Sequence, residues 1–144
     1  LPELRRYAFA RMKIDSQQVF VSSVRLAPSS LALDFGVQME SRKSRRAELA
    51  EIMRFIPTVE PVLLGGDMNV PAGDGVLSPL KERQFYDAFT VAGTGWGNTV
   101  ESSMPIHRID QLYSSASGLR PLSVIAAPSQ RSDHRMLVAD FRLP

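Results

Sequence analysis

The chain has 144 residues, of which 44% are hydrophobic and 22% are charged, and this composition predicts one globular domain rather than a disordered or membrane-spanning chain. Its formal net charge of +2 is too small to indicate a nucleic-acid partner by itself. The absence of cysteine excludes disulfides, thiolate zinc sites and thiol nucleophiles. With only two histidines as well, any metal would be held by oxygen ligands, as magnesium, calcium and manganese prefer.

The first half of the chain predicts a hairpin, a loop and a helix. Roughly alternating apolar residues indicate strands over residues 5–12 and 19–26. The mixed composition of residues 27–41 predicts a long loop. An apolar stripe predicts a helix over residues 44–56, which Pro57 closes. The stripe consists of Leu49, Ile52, Met53 and Ile56.

Four basic residues crowd the predicted start of this helix, where the helix dipole disfavours cations. They are Arg42, Lys43, Arg45 and Arg46. Two interpretations stay open at this point. Such a cluster usually forms a solvated face, and less often it forms a patch that contacts phosphate groups.

The second half of the chain is rich in strands. Apolar runs predict strands over residues 61–64, 107–114, 121–126 and 136–143, and residues 77–91 predict a short helix. No repeat or linker divides the sequence. We therefore predict that residues 1–144 form one α+β unit.

Polar residues stand at the boundaries of several predicted strands. Asp67 and Asn69 follow the first of these strands, Asp110 lies in a second, and Asp133 and His134 precede the last. Taken singly, each pattern is more typical of a turn, an ion pair or an exposed surface. Together, at one edge of a sheet, they would have the parts for metal-assisted hydrolysis of a phosphate ester.

Three segments containing these residues, read in chain order, resemble a known set of motifs. The segments "LLGGDMN", "HRIDQLY" and "SDHRMLVADF" are similar to the C-terminal signatures of the endonuclease/exonuclease/phosphatase superfamily. The resemblance implies an α+β fold that is part of a four-layer αββα sandwich like that of deoxyribonuclease I. The likeness covers the whole chain but only the C-terminal portion of a typical family domain.

The resemblance also implies a role for each matching residue. Asp67 would position or activate the attacking water, and Asn69 would hydrogen-bond the phosphate. His134 would contact the phosphate and assist proton transfer, while Asp110 would orient its imidazole. Asp133 would be a ligand of a divalent cation, Mg²⁺ or Mn²⁺. Two further phosphate contacts are expected.

These two contacts are Thr99 and Arg25. Thr99, in "WGNTV", stands where the family often carries a threonine near the phosphate. Arg25 stands where many members have a histidine, and arginine binds phosphate but does not act as a general acid or base near neutral pH. Arg25 is therefore either a phosphate ligand or a surface residue at a strand end.

One family residue has no counterpart here. The main metal-binding glutamate of the family lies in its N-terminal third, and this chain is expected to begin after that portion. Half of a sandwich would expose an apolar sheet face, so the missing N-terminal half or a second copy is expected as a partner. Without the glutamate, the activity of residues 1–144 is expected to be weak or absent.

Two functions remain open at this stage. The first is a metal-dependent hydrolase of phosphodiester or phosphomonoester bonds, acting on nucleic acid, phospholipid or inositol phosphate. The second is a non-catalytic half-domain that acts through a protein interface. No apolar run approaches the roughly 20 residues that a membrane-spanning helix needs.

Overall fold

The protein is described here by a computed structural model, which covers residues 6–28, 35–101, 103–116 and 118–143. The structure mixes strands and helices, so the predicted α+β class is confirmed. A short 3₁₀ turn spans Gly75–Leu77. The other elements are β1 Arg6–Ile14, β2 Gln17–Arg25, α1 Phe35–Met53, β3 Val62–Asp67, α2 Ser78–Glu82, β4 Phe85–Asp87, α3 Ala88–Ala92, β5 Asp110–Ser115, β6 Arg120–Ala127 and β7 Met136–Arg142.

Five strands form the main sheet, in the order β1-β2-β3-β5-β4. Strands β2 and β3 run parallel, whereas β5 runs antiparallel to β3. The end of β2, the end of β3 and the start of β5 therefore meet at one edge of the sheet, which is formed by strand ends and is called the polar edge below. The register aligns Arg25 with Asp67 and Asp67 with Asp110, so three polar side chains far apart in sequence become neighbours.

Helix α1 packs on one face of this sheet and forms the core with it. The predicted apolar stripe is buried as expected, with Leu49 and Ile52 in the helix and Ile56 just beyond its end. These side chains belong to one buried cluster with Phe20 of β2 and Leu64 of β3. Burial of the stripe supplies the apolar contact that holds α1 against the sheet.

The boundaries of several elements differ from the predictions. Helix α1 begins at Phe35, inside the predicted loop 27–41, of which residues 29–34 lie outside the described part of the chain. The predicted helix 77–91 is interrupted by β4, because Phe85–Asp87 pairs with β5. The predicted strand 107–114 begins only at Asp110. Pairing with β5 outweighed local propensity at Phe85–Asp87.

The basic cluster also differs from its predicted setting. Since α1 begins at Phe35, the four basic residues lie within the helix and not at its start. Arg45 is only 4% exposed, and burial lowers its pKa. Arg42 donates to both carboxylate oxygens of Asp74, at 2.8 Å each. Lys43 and Arg46 are exposed, so a solvated surface describes these two residues but not Arg45.

The second sheet consists of β6 and β7 alone among the described residues. Apolar side chains are exposed on this hairpin and on β1, namely Met12, Ile125, Met136 and Val138. Such exposure is compatible with the expected interface, although the chain that would cover it stays a prediction. Within the described segments, no helix is both long and apolar enough to cross a membrane.

Candidate active site

The two glycines of "LLGGDMN" lie inside β3, which extends beyond the predicted strand 61–64. Gly66 has φ +144°, and a Cβ atom at this position would overlap the carbonyl oxygen of Val24. A side chain is therefore excluded where β2 and β3 approach each other closely. The chain turns later, at Asn69, which has φ +50°. As a result, Asp67 is the last residue of the strand and lies at the sheet edge.

Asn69 is held by hydrogen bonds from its backbone N–H and from its side-chain amide. Its backbone N–H donates to Asp67 Oδ1 at 3.0 Å, which closes a tight Asx turn. Its side-chain Nδ2 donates to Asp67 Oδ2 at 3.2 Å and to the Leu26 carbonyl at 2.8 Å. The Leu26 N–H in turn donates to the Asp67 carbonyl at 3.0 Å. The segment after β2 thus orients both polar residues.

The Asp67 carboxyl group is an unusual acid in this setting. Burial raises its pKa above the ordinary value of an aspartate, and the neighbouring Asp110 carboxylate raises it further. The Asn69 hydrogen bond and the charges of His134 and Arg25 oppose this shift without cancelling it. A carboxylate whose pKa is raised is a stronger base than an ordinary aspartate.

Asp110 and His134 form a hydrogen-bonded pair at the same sheet edge. His134 Nδ1 lies 2.7 Å from Asp110 Oδ2, and both side chains are partly buried. With Asp110 ionised, Nδ1 carries the hydrogen and donates it, which leaves Nε2 for another partner. The His134 N–H also donates to Ser132 Oγ at 3.0 Å. The imidazole is therefore fixed in orientation.

Arg25 and Thr99 occupy contrasting positions around this group. Arg25 is exposed, and its Nε lies 3.6 Å from Asp67 Oδ2, so its guanidinium borders the polar edge. Thr99 is 0% exposed, and its hydroxyl accepts a hydrogen bond from the Asp110 N–H at 3.2 Å. The contact of Thr99 with phosphate stays a prediction, and the hydroxyl that would make it is buried against the Asp110 backbone.

The expected metal ligand, Asp133, directly precedes His134 of the pair. It is exposed, and together with Glu101 and Arg135 it lines a surface cavity of about 400 Å³. Among the residues that the structure covers, no three acidic or histidine side chains cluster closely enough to hold a metal ion. The described residues therefore do not complete a cation site by themselves.

Several supporting contacts were not anticipated from the sequence. Gln111 is buried, and its Nε2 donates to the Val70 carbonyl at 2.7 Å, while its Oε1 accepts from the Tyr113 hydroxyl at 2.5 Å. This network holds the segment that follows Asn69. The feature of the sequence that could have indicated this network is the amide residue Gln111, directly after Asp110 in a predicted strand. Arg108 forms an ion pair with Asp87 at 2.7 Å.

Comparison with known sequences decides the family. The sequence profile of the Endonuclease/Exonuclease/phosphatase family matches residues 22–134, which include every residue of the polar edge. The chain belongs to this family. No curated protein sequence matches it significantly. The predicted resemblance is therefore confirmed at the level of the family.

Solved structures share the fold of this family member. An endonuclease/exonuclease/phosphatase from Beutenbergia cavernae superposes with a TM-score of 0.76 at 18% identity, covering 96% of this chain and 39% of its own. A beta toxin from Staphylococcus aureus gives 0.72 at 18% identity, covering 96% and 57%. A double mutant of that toxin with bound magnesium ions gives 0.63 at 17% identity, covering 94% and 54%. The chain thus spans about half the length of these structures.

Proposed function

We propose that the complete protein is a divalent-metal-dependent hydrolase of phosphodiester or phosphomonoester bonds. One observation carries the proposal: the Asp67–Asn69 turn and the Asp110–His134 pair lie at the same edge of one sheet. Family membership supports the same class of reaction. The candidate substrates are nucleic acid, phospholipid and inositol phosphate, which share the phosphate group.

In the proposed reaction, the residues of this chain move protons and orient the phosphate. Asp67 accepts a proton from the attacking water, a role that its raised pKa favours. Asn69 binds a phosphate oxygen. The oxygen of the attacking water bonds to phosphorus as the bond from phosphorus to the leaving oxygen breaks. In this step His134 acts as an imidazolium whose Nδ1–H is held by Asp110, and its Nε2–H donates the proton to the leaving oxygen.

The cation, Mg²⁺ or Mn²⁺, is part of the proposal for the complete protein only. Asp133 would supply one oxygen ligand, and the others would come from outside the described residues. The magnesium ions bound to the beta toxin mutant support the choice of ion. When bound, the cation would stabilise negative charge on the phosphate.

The test combines an activity panel with a metal titration. The complete protein should hydrolyse at least one of four substrate types (DNA, RNA, a phospholipid or an inositol phosphate) and should lose this activity with a chelator. Residues 1–144 alone should show no saturable rise in melting temperature at millimolar Mg²⁺, because a ligand stabilises only the state that binds it.

The Asp133→Asn substitution separates the outcomes of this test. In the complete protein it should remove the Mg²⁺-dependent rise in melting temperature, whereas Asp15→Asn, in the exposed β1–β2 turn, should preserve it. A complete protein that is inactive on every substrate would contradict the proposal. It would favour the alternative of a non-catalytic half-domain, which the exposed Met12, Met136 and Val138 support.

Arg25 is proposed as a phosphate ligand, and its substitution gives a separate prediction. Arg25→Ala should raise KM for a phosphodiester about 10-fold with a smaller change in kcat, because it removes a charge-assisted contact made in both ground and transition states. Steady-state kinetics at low ionic strength would measure this. Arg11→Ala, at an exposed arginine paired with Glu60, is the matched control. An unchanged KM would make Arg25 a surface residue.

A further inference from the structure

Thr99 connects every segment that carries the Asp110–His134 pair. Its hydroxyl accepts from the Asp110 N–H at 3.2 Å. Its carbonyl accepts from the N–H of Arg135, the residue after His134, at 2.8 Å. Its own N–H donates to the carbonyl of His107 at 2.8 Å. The buried Thr99 is thus hydrogen-bonded to Asp110 at the start of β5 and to Arg135 just before β7.

The Asp110 N–H needs this partner because the sheet does not provide one. Strand β4 pairs with Tyr113–Ser115 of β5 and ends before it reaches Asp110. A partly buried backbone N–H without a partner is costly. The Thr99 hydroxyl is the hydrogen-bond acceptor in this position, where a neighbouring strand would otherwise supply a carbonyl.

The exposure of Thr99 argues against direct contact with substrate. The residue is 0% exposed, and its hydroxyl faces the backbone of Asp110. By contrast, Asn69 is partly buried and Arg25 is exposed.

We infer that Thr99 is a positioning residue, which holds Asp110 and His134 at hydrogen-bonding distance and does not bind the phosphate itself. This inference rests on the proposed phosphoester hydrolysis for its kinetic consequences. Its structural consequence, the geometry of the Asp110–His134 hydrogen bond, does not depend on any activity.

Kinetics of three variants of the complete protein test the inference. Thr99→Val keeps the shape of the side chain but removes the acceptor, and we expect kcat to fall about 10- to 100-fold with KM nearly unchanged, as for small misplacements of reacting groups. Thr99→Ser keeps the hydroxyl and should retain most of the activity. Thr58→Val, at an exposed threonine remote from the site, should behave like the parent.

Two kinetic outcomes would overturn the inference. A rise in KM with unchanged kcat in Thr99→Val would make Thr99 a phosphate ligand. Unchanged kcat and KM in a variant with a lower melting temperature would make its role purely structural.

A spectroscopic measurement decides the inference if the protein proves inactive on all phosphate esters, the outcome that refutes the proposed function. The Nδ1 proton of His134, bonded to a carboxylate, should give a downfield proton NMR signal in the parent and in Thr99→Ser. The signal should shift or vanish in Thr99→Val, and an unchanged signal would contradict the inference. Should Thr99→Val fail to fold, amide exchange in the parent replaces it: a rapidly exchanging Asp110 N–H would refute the hydrogen bond.

Discussion

Replacing His134 by alanine should lower kcat of the complete protein about 10²- to 10⁴-fold, the range expected for the loss of a general acid. The substitution removes the imidazole that is 2.7 Å from Asp110 and the proposed source of the proton for the leaving oxygen. The melting temperature should change little, because the pair is partly exposed and contributes little to stability. Initial rates on the best substrate of the panel, with a thermal melt of each variant, would measure both effects.

The second histidine of the chain offers a matched control for His134. His107 is exposed, and its backbone is hydrogen-bonded to Val100 and Thr99, so His107→Ala should keep the parental rate. Asp110→Asn should also lower kcat, because an amide no longer stabilises the imidazolium. Parental rates in His134→Ala would end the role proposed for this residue.

Replacing Asp67 by asparagine should abolish activity and at the same time stabilise the protein at neutral pH. Activity should fall because the proposed base is lost. Stability should rise because burial raises the pKa of the Asp67 carboxyl in the folded state, so that folding works against its ionisation. The asparagine oxygen can still accept the hydrogen bond from the Asn69 N–H, whereas the bond from Asn69 Nδ2 is lost and reduces the gain in stability.

The sign of this effect gives it a characteristic pH dependence. The pKa of Asp67 in the folded state lies above the unfolded value of about 3.9. Its stabilising contribution to the free energy of unfolding is therefore fully present below that value and is lost as pH rises through the folded pKa. The difference in melting temperature between Asp67→Asn and the parent should therefore grow with pH from about pH 4 and then level off. Thermal melts across the acidic to neutral range would measure it.

Asp74 provides a control of opposite sign. Although burial opposes it, hydrogen bonds from the Val76 N–H and from Arg42 hold the pKa of Asp74 below its ordinary value. The stabilising contribution of Asp74 to the free energy of unfolding is present above the unfolded pKa and is lost as pH falls through the folded pKa. Asp74→Asn should therefore destabilise the protein at neutral pH and less so in acid. If both variants moved in the same direction with pH, the account of Asp67 would be wrong.

Patterns that act over a few residues were readable from the sequence. The stripe of Leu49 and Ile52 identified a helix that packs against a sheet, because the period of a helix is local. The order of the motifs around Asp67, Asp110 and His134 identified the family, since each motif is a continuous segment. Their placement at strand boundaries also predicted the sheet edge where they meet.

Contacts between distant segments were decided by the tertiary structure alone. Sequence reasoning left the settings of Gly66 and Arg45 open, whereas close packing against β2 and burial of the arginine set their roles. It assigned Thr99 to the phosphate, but pairing of β5 with its neighbours leaves the Asp110 N–H to the Thr99 hydroxyl. The sequence by itself determined the family and the polar strand ends. The register of β2, β3 and β5 decided which of those groups touch, because strand pairing joins residues whose separation along the chain carries no local signal.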